Sequence, residues 1–241
     1  IAKYGGYENY LNIYAMPTEA LAELNIVVGE GSLPSAQDDE LKFFYGSHVL
    51  QDFSNSKTGA GYWMTGELPD IDLMNDPIFI IFDTSAYWQS QSPSPMDENG
   101  TPVKPPKKYL IETCGVEQTS EDGWTNYGWR TLCDIDKLIP ELKRVFKNKP
   151  IPGQPTTKSG KPYKEVFYNQ LYVDVDKMEN VTAVQTQLTD LGYEANSNAE
   201  WIESEQKTLG YVQAVLGGIG AVSLFVAAIG ITNTMMMSIY E

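Results

Sequence analysis

The uncharged carboxyl-terminal segment constrains this chain more than any other part of it. No charged residue occurs between Lys207 and Glu241, and residues 212–231 contain only Gln213 and Ser223 as polar side chains. A helix of this length rises about 30 Å, the thickness of the hydrocarbon core of a bilayer. The alternative, a core helix of a soluble domain, normally keeps a polar stripe on its outer side, and this segment has none. The pattern therefore predicts a transmembrane helix.

Small residues lie along one side of this predicted helix. Gly217, Ala221, Ala228 and Thr232 fall on one face at the ordinary repeat of about 3.6 residues per turn. Small side chains let a second membrane helix approach closely, so this face predicts helix packing within the membrane.

The residues before the helix predict an α+β fold. Short apolar runs rich in β-branched and aromatic residues favour strands. They occur at 10–16, 24–35, 41–53, 77–83, 108–118 and 126–135. The residues after Gly46 could instead form a short helix. A helix is predicted at 136–146, and Pro-rich exposed connectors are predicted at 89–108 and 147–164.

A compact strand, helix and strand unit is predicted next. Residues 170–176 alternate apolar and polar side chains, which indicates a half-buried strand. Asn180 can cap a following helix, Gly192 can end it, and residues 193–196 offer a second strand. The apolar face of the helix comprises Val181, Val184, Leu188 and Leu191.

Two further local features come from the same pattern. Ser197 and Glu200 have the spacing of a capping box at the start of the last helix. Cys114 and Cys133 would lie on neighbouring strands if 108–118 and 126–135 formed a hairpin, and they could then form a disulfide. The alternative is two buried free thiols, because cysteine behaves as a small hydrophobe.

Charge and motif content exclude several classes of function. The chain has 32 acidic and 17 basic residues and a net charge of −15, which argues against nucleic acid as a partner. His48 is the single histidine, so metal and nucleophile constellations are few, and no Asp-rich stretch completes an EF-hand loop. The glycines near Gly217 lack the lysine of a phosphate loop. We expect no catalytic residues, no metal and no cofactor in this chain.

Trp124, beside Gly123 in a turn-rich stretch, is a candidate aromatic for binding a peptide or a partner protein. Packing in the core is the commoner fate of such a residue. The chain begins with Ile1, and we expect it to be a segment of a longer protein.

At this point the residues match a known family. The stretch LGGIGAVSLFVAAIGITNTMMMSIYE, residues 216–241, closely resembles the second transmembrane helix of FtsX-like and MacB-like ABC transporter permeases. The preceding residues resemble the MacB-like extracytoplasmic core domain more loosely. The similar pieces are VVGEGSLPSAQDDELKFFYGSHV, YLIETCGVEQ with CDIDKL, and YNQLYVDVDKMENVTAVQTQLTDLGYEANSNAEWIES.

The resemblance implies a two-lobed extracytoplasmic domain followed by a long helix that enters the membrane. Residues 1–75 and 166–197 would form a porter-like α+β lobe, residues 76–165 an inserted, mostly β lobe, and residues 198–241 the stalk and transmembrane helix. Residues up to about 207 would lie outside the cytoplasm, and residues 238–241 would lie next to the cytoplasmic coupling helix. The expected location is the cell membrane, with composition fitting a Gram-positive cell.

The resemblance also implies partners. These are an ABC ATPase subunit or fused domain, which binds the ATP, a second permease protomer in a homodimer, and membrane lipid, with an extracellular peptide or protein as a further candidate. Two other functions stay open from the residues alone. One is a membrane-tethered sensor or ligand-binding module that uses loops 89–108 or 117–128, and the other is an extracellular hydrolase.

Overall fold

The computed structural model describes residues 1–92, 96, 100–120, 123–147 and 149–240, with positions 199 and 200 described by their backbone alone. The chain divides into two compact units, Ile1–Phe167 and Tyr168–Glu241. The fold is α+β with two sheets and a long carboxyl-terminal apolar helix, as the sequence predicted.

The first unit contains all ten strands of the described residues. They are β1 (Ala2–Tyr4), β2 (Tyr7–Asn9), β3 (Ile13–Met16), β4 (Val28–Gly31), β5 (Lys42–Tyr45), β6 (Ser54–Asn55), β7 (Phe79–Ile80), β8 (Tyr109–Leu110), β9 (Glu112–Glu117) and β10 (Thr131–Asp134). Its helices are α1 (Thr18–Glu23), α2 (Tyr62–Thr65), α3 (Thr84–Ser90) and α4 (Ile135–Phe146), with a 3₁₀ turn at Val49–Asp52.

The strands form two five-stranded sheets. One sheet has the order β6-β2-β1-β7-β8 and is antiparallel throughout. The other has the order β3-β10-β5-β9-β4 and is mixed, because β10 is parallel to β3 and β5 is parallel to β9. Both sheets take strands from before and after residue 75, so the predicted segments 1–75 and 76–165 share both sheets.

The central strand β5 explains why the two sheets share a core. Successive side chains of a strand point to opposite faces. Phe43 and Tyr45, which are fully buried, pack in one cluster with Ala2 and Ile80 of the antiparallel sheet. Phe44 points the other way, into a cluster with Leu21 and others beneath α1. A run of three consecutive buried aromatics is what a strand covered on both faces requires.

Polar caps fix the helices that follow two of the strands. Asp83 accepts a hydrogen bond from the amide of Ala86 at the start of α3, and Asp134 accepts one from the amide of Asp136 at the start of α4. The predicted helix at 136–146 is confirmed as α4, which begins one residue earlier.

The predicted hairpin between 108–118 and 126–135 is wrong. Strands β9 and β10 both pair with β5, from opposite sides, rather than with each other. Strand β5, with Phe43, Phe44 and Tyr45 fully buried, lies between them in the sheet, and pairing of this kind depends on residues far apart in the sequence.

The second unit consists of α5 (Met178–Asp190) and α6 (Ala199–Tyr240). Helix α5 is confirmed, and Gly192 follows its end with a φ of 92°, the left-handed conformation that glycine adopts without strain. Val181, Val184 and Leu188 are half-buried, whereas Leu191 is exposed beyond the helix.

The two strands predicted around α5 are not formed. Residues 170–176 and 193–196 have no strand conformation, and Leu171 and Val173 are 73% and 55% exposed. An alternating pattern supplies a face for a strand but not the partner whose backbone completes it. Neither segment belongs to a sheet formed by the described residues.

Candidate functional site

Helix α6 has a long apolar part whose side chains are exposed. The helix extends over 42 residues without a break, or about 63 Å, and contains a strongly apolar stretch. Phe225 is 73% exposed and Leu224 is 74% exposed. A helix that is apolar all round and uncovered needs a membrane or a protein around it. It is long and apolar enough to cross a membrane.

The hydroxyl groups within this apolar part are satisfied by the helix itself. Ser223 donates to the carbonyl of Ile219 at 2.9 Å, and Thr232 donates to the carbonyl of Ala228 at 2.8 Å. Internal bonds of this kind are what a polar side chain requires in hydrocarbon, where no water is present to replace them.

The predicted packing residues lie together on α6. Gly217, Ala221, Ala228 and Thr232 are exposed and occupy one arc of the helix, an arc that Leu224 shares at about 100° per residue. A methyl group added to Gly217 would meet no atom within 4 Å. The fold of this chain therefore does not itself require glycine at this position.

The start of α6 differs in detail from the predicted capping box. The helix begins at Ala199, and the amide of Ile202 donates to the carbonyl of Asn198 at 3.0 Å. The Ser197 hydroxyl donates to Oε1 of Gln185 at 2.6 Å, which ties the helix start to α5. The side chain of Glu200 lies outside the described residues, so its pairing with Ser197 stays a prediction.

The two cysteines are free thiols, and the predicted disulfide is not formed. Strand β5 lies between their strands, and two strand spacings are about 9.5 Å, beyond the reach of a disulfide. Cys114 instead donates to the carbonyl of Phe43 at 3.4 Å. Burial raises the pKa of the Cys114 thiol to about 12 and also raises the pKa of Cys133, because the thiolate would be desolvated.

Trp124 lies at the rim of a cleft in the first unit. The cleft encloses about 380 Å³ and is lined by residues 24–27, 117–120 and 124–127. Trp124 is 68% exposed, and two bonds hold its backbone. Its amide donates to Oγ of Ser120 at 2.9 Å, and the Ser120 hydroxyl donates to its carbonyl at 2.8 Å. The side chain is therefore presented to solvent from a fixed loop.

A buried carboxylate forms one wall of this cleft. Glu117 is 6% exposed, and its Oε2 accepts from the hydroxyl of Thr125 at 2.9 Å and from the amide of Ser47 at 3.2 Å. The Ser47 hydroxyl lies 3.3 Å from the same oxygen. These bonds join the end of β9, the end of β5 and the cleft loop at one carboxylate oxygen.

Beside this carboxylate, His48 anchors the loop in a different way. Its Nε2 lies 2.9 Å from the carbonyl of Gly123, and its Nδ1 lies 2.9 Å from the Ser47 hydroxyl. Its ring stacks on Trp129 at 4.9 Å, and Trp129 stacks on Trp63. In a catalytic triad, the histidine that contacts the serine is oriented by an acidic side chain. Here the acid, Glu117, contacts Ser47, and His48 contacts the backbone carbonyl of Gly123.

Sequence reasoning identified Trp124 but missed Glu117, Ser47 and Thr125. The sequence signal for Glu117 was weak. Glu117 lies two residues after Gly115 and therefore on the same buried face of β9. Among the described residues, no three His, Cys, Asp or Glu side chains are grouped in a way that could hold a metal ion.

Comparisons with known proteins give one partial match. The chain is 43% identical over 49 residues to the pyoverdine export ATP-binding/permease protein PvdT of Pseudomonas aeruginosa. The match covers 20% of this chain and 7% of PvdT, so the chain spans only a small part of that relative. It supports a relationship to ABC transporters. No family model matches the chain, and no solved structure matches it.

Together, the apolar helix and the partial similarity to a permease fit a membrane protein with a relationship to ABC transporters.

Proposed function

We propose that this chain is the non-catalytic extracytoplasmic domain and one transmembrane helix of an FtsX-like or MacB-like ABC transporter permease. In this proposal it transmits ATPase-driven motion across the membrane, for export or for work on an extracytoplasmic substrate. The observation that carries the proposal is the continuity of α6 from its polar start to its apolar end. The similarity to PvdT supports the transporter class.

A continuous helix is suited to passing a displacement between two sites. Helix α6 contains no proline, and its polar residues 199–211 lead into the apolar residues 212–231 without interruption. Such a helix moves as a rigid body, so a shift at its cytoplasmic end would reach the helix start beside α5. In this proposal the residues up to about 207 lie outside the cytoplasm.

The packing face supports a second protomer in the proposal. Glycine in a helix costs up to about 1 kcal/mol relative to alanine, and Gly217 meets no atom of this chain that would require it. Its small size is explained if the backbone of another membrane helix approaches there. The ATP would be bound by an ABC ATPase, fused or separate, and not by this chain.

The test is ATP turnover of the complete protein with its ABC ATPase in nanodiscs. Gly217→Leu combined with Ala221→Leu would enlarge the packing face. Ser223→Leu combined with Gly230→Leu is the matched control, because both positions lie on the opposite side of α6 at about 100° per residue. We expect the first pair to change turnover and the second to leave it near the wild-type value. Equal turnover in all three proteins would contradict the proposal.

A membrane-tethered binding module is the second candidate, and the cleft beside Trp124 favours it. This function requires no ATPase, so indifference of ATP turnover to the helix variants would favour it. A single membrane helix in the complete protein would favour it as well, whereas three further helices would favour a permease.

A further inference from the structure

We infer that the cleft between Glu117 and Trp124 binds a primary ammonium group carried beside an apolar side chain. The inference concerns the first unit alone and is independent of the transport role proposed above. It is based on the charge, the free acceptors and the apolar lining of one cleft.

The charge of the cleft wall is uncompensated within the described residues. Glu117 is 6% exposed, and none of the ion pairs formed by described residues includes it. Its neighbours Ser47 and Thr125 are neutral donors. A buried carboxylate is costly unless a cation or enough donors compensate it. A ligand that supplies a positive charge would complete this arrangement.

One carboxylate oxygen is available to such a ligand. The bonds from Ser47 and Thr125 are all made to Oε2 of Glu117, and Oε1 has no hydrogen-bond partner among the described residues. An ammonium group has three donors. The side chains of Gln118 and Asn126, which also line the cleft, carry amide oxygens that can accept the other two.

Part of the remaining lining is apolar and aromatic, beside the polar Asn25, Thr119 and Ser120. The apolar and aromatic part consists of Leu24, Ile26, Val27, Trp124 and Tyr127. Val27 is 61% exposed and Trp124 is 68% exposed, so both have surface left to cover. A tryptophan face attracts a cation and also packs against aliphatic groups. An amphipathic amine therefore satisfies both parts of the lining.

Other ligand classes fit less well. An anion would be repelled by Glu117, and a neutral ligand would leave its charge unpaired. A calcium ion prefers six to eight oxygen ligands, whereas Glu117 is the sole carboxylate among the described residues that line the cleft. The ammonium group has two peptide sources with the same chemistry, a lysine side chain and a free amino terminus.

Four tripeptide amides test the inference and separate these sources. Acetyl-Leu-Lys-Leu-amide carries the ammonium on a side chain, and Leu-Gln-Leu-amide carries it at the amino terminus. Acetyl-Leu-Gln-Leu-amide is neutral, and acetyl-Leu-Glu-Leu-amide is anionic. Binding to the full chain in nanodiscs is measured by calorimetry. The site is located by ¹⁹F NMR with fluorotryptophan, and the Trp124 signal is identified by its loss in Trp124→Phe.

We expect at least one of the two cationic peptides to bind and to shift the Trp124 signal, and we expect the neutral and anionic peptides not to do so. Glu117→Gln keeps the side-chain shape and removes the charge, and it should weaken binding of the cationic peptide by about tenfold or more. Glu112→Gln, on the same strand with its side chain 74% exposed, is the matched control and should bind as the wild type does.

Two results would overturn the inference. One is equal binding of the neutral and cationic peptides, which would indicate an apolar surface, and the other is full binding by a folded Glu117→Gln protein. If Glu117→Gln does not fold, Trp124→Leu keeps the carboxylate and changes an exposed side chain. It should weaken binding of the cationic peptide, and unchanged binding would place the peptide elsewhere. Loss of ATP turnover in the helix variants leaves this result unaffected, so the two proposals can fail separately.

Discussion

The hydroxyl of Thr125 donates to Oε2 of Glu117 across 2.9 Å and thereby ties the loop that carries Trp124 to the end of β9. The same oxygen accepts from the amide of Ser47, 70 positions away, so one buried carboxylate holds together the end of β9, the cleft loop and the segment after β5. The stability of this part of the first unit should depend on those donors.

Replacing Thr125 with valine removes the donor and keeps the side-chain shape. We expect the free energy of unfolding to fall by about 1–3 kcal/mol, because a hydrogen bond to a charged group is lost where water cannot fully replace it. Urea denaturation followed by circular dichroism measures this change. Thr119→Val, an exposed threonine in the same loop, is the control and should change stability little. Equal losses in the two variants would show that the bond to Glu117 is unimportant.

Alanine variants of Gly31 and Gly59 distinguish the cost of backbone strain from the cost of a steric clash. Both have positive φ, 75° and 71°, so alanine at either position costs about 1–2 kcal/mol in strain. A methyl group on Gly31 would also contact the carbonyl oxygen of Cys114 and approach the Cα of Gly115 to 2.7 Å, whereas one on Gly59 would meet nothing. We expect Gly31→Ala to be the more destabilising by about 1–3 kcal/mol. Similar denaturation midpoints for the two variants would contradict the close strand contact.

The two thiols should react slowly in the folded protein. Burial raises the pKa of Cys114 to about 12 and also raises the pKa of Cys133, and only the thiolate is nucleophilic. Near neutral pH, iodoacetamide should modify both cysteines of the denatured protein. In the native protein it should modify both much more slowly, and mass spectrometry follows the reaction. Addition of a reductant should leave the thermal midpoint unchanged. A mass lower by two hydrogens would instead reveal a disulfide.

The raised pKa of Cys114 also predicts how stability depends on pH. Above the ordinary value of 9.0 the unfolded thiol loses its proton, whereas the folded thiol keeps it up to about 12. The contribution of Cys114 is therefore fully present below pH 9 and declines as pH rises above it. As the pH rises from about 8 to about 10, the free energy of unfolding of the wild type should fall relative to that of Cys114→Ala. A constant difference over this range would show that the thiol is not desolvated in the fold.

An arginine in the middle of the apolar stretch should oppose membrane insertion. Val222→Arg should raise the insertion free energy by about 2.5–3.5 kcal/mol, because the guanidinium would lie at the bilayer centre. Leu209→Arg, earlier on the same helix and only two residues after the charged Lys207, should have a smaller effect. The fraction resistant to carbonate extraction from membranes measures both. Equal extraction of the two variants and the wild type would argue that α6 does not span the bilayer.

The sequence by itself determined those elements whose hydrogen bonds are local. Helix α6 was readable from its lack of charge, and helix α5 from its apolar spacing and Gly192. A helix completes its backbone bonds within its own segment, so its residues specify it directly.

Only the tertiary structure decided which strands pair and which side chains meet. The sequence placed Cys114 and Cys133 on strands but not on opposite sides of β5, and it predicted a strand at 170–176 that the structure does not form. It also could not bring Ser47 and Thr125 to Glu117, since the contact of Ser47 with Glu117 joins residues 70 positions apart. Strand partners and buried polar contacts are set by how distant segments pack, which no local pattern contains.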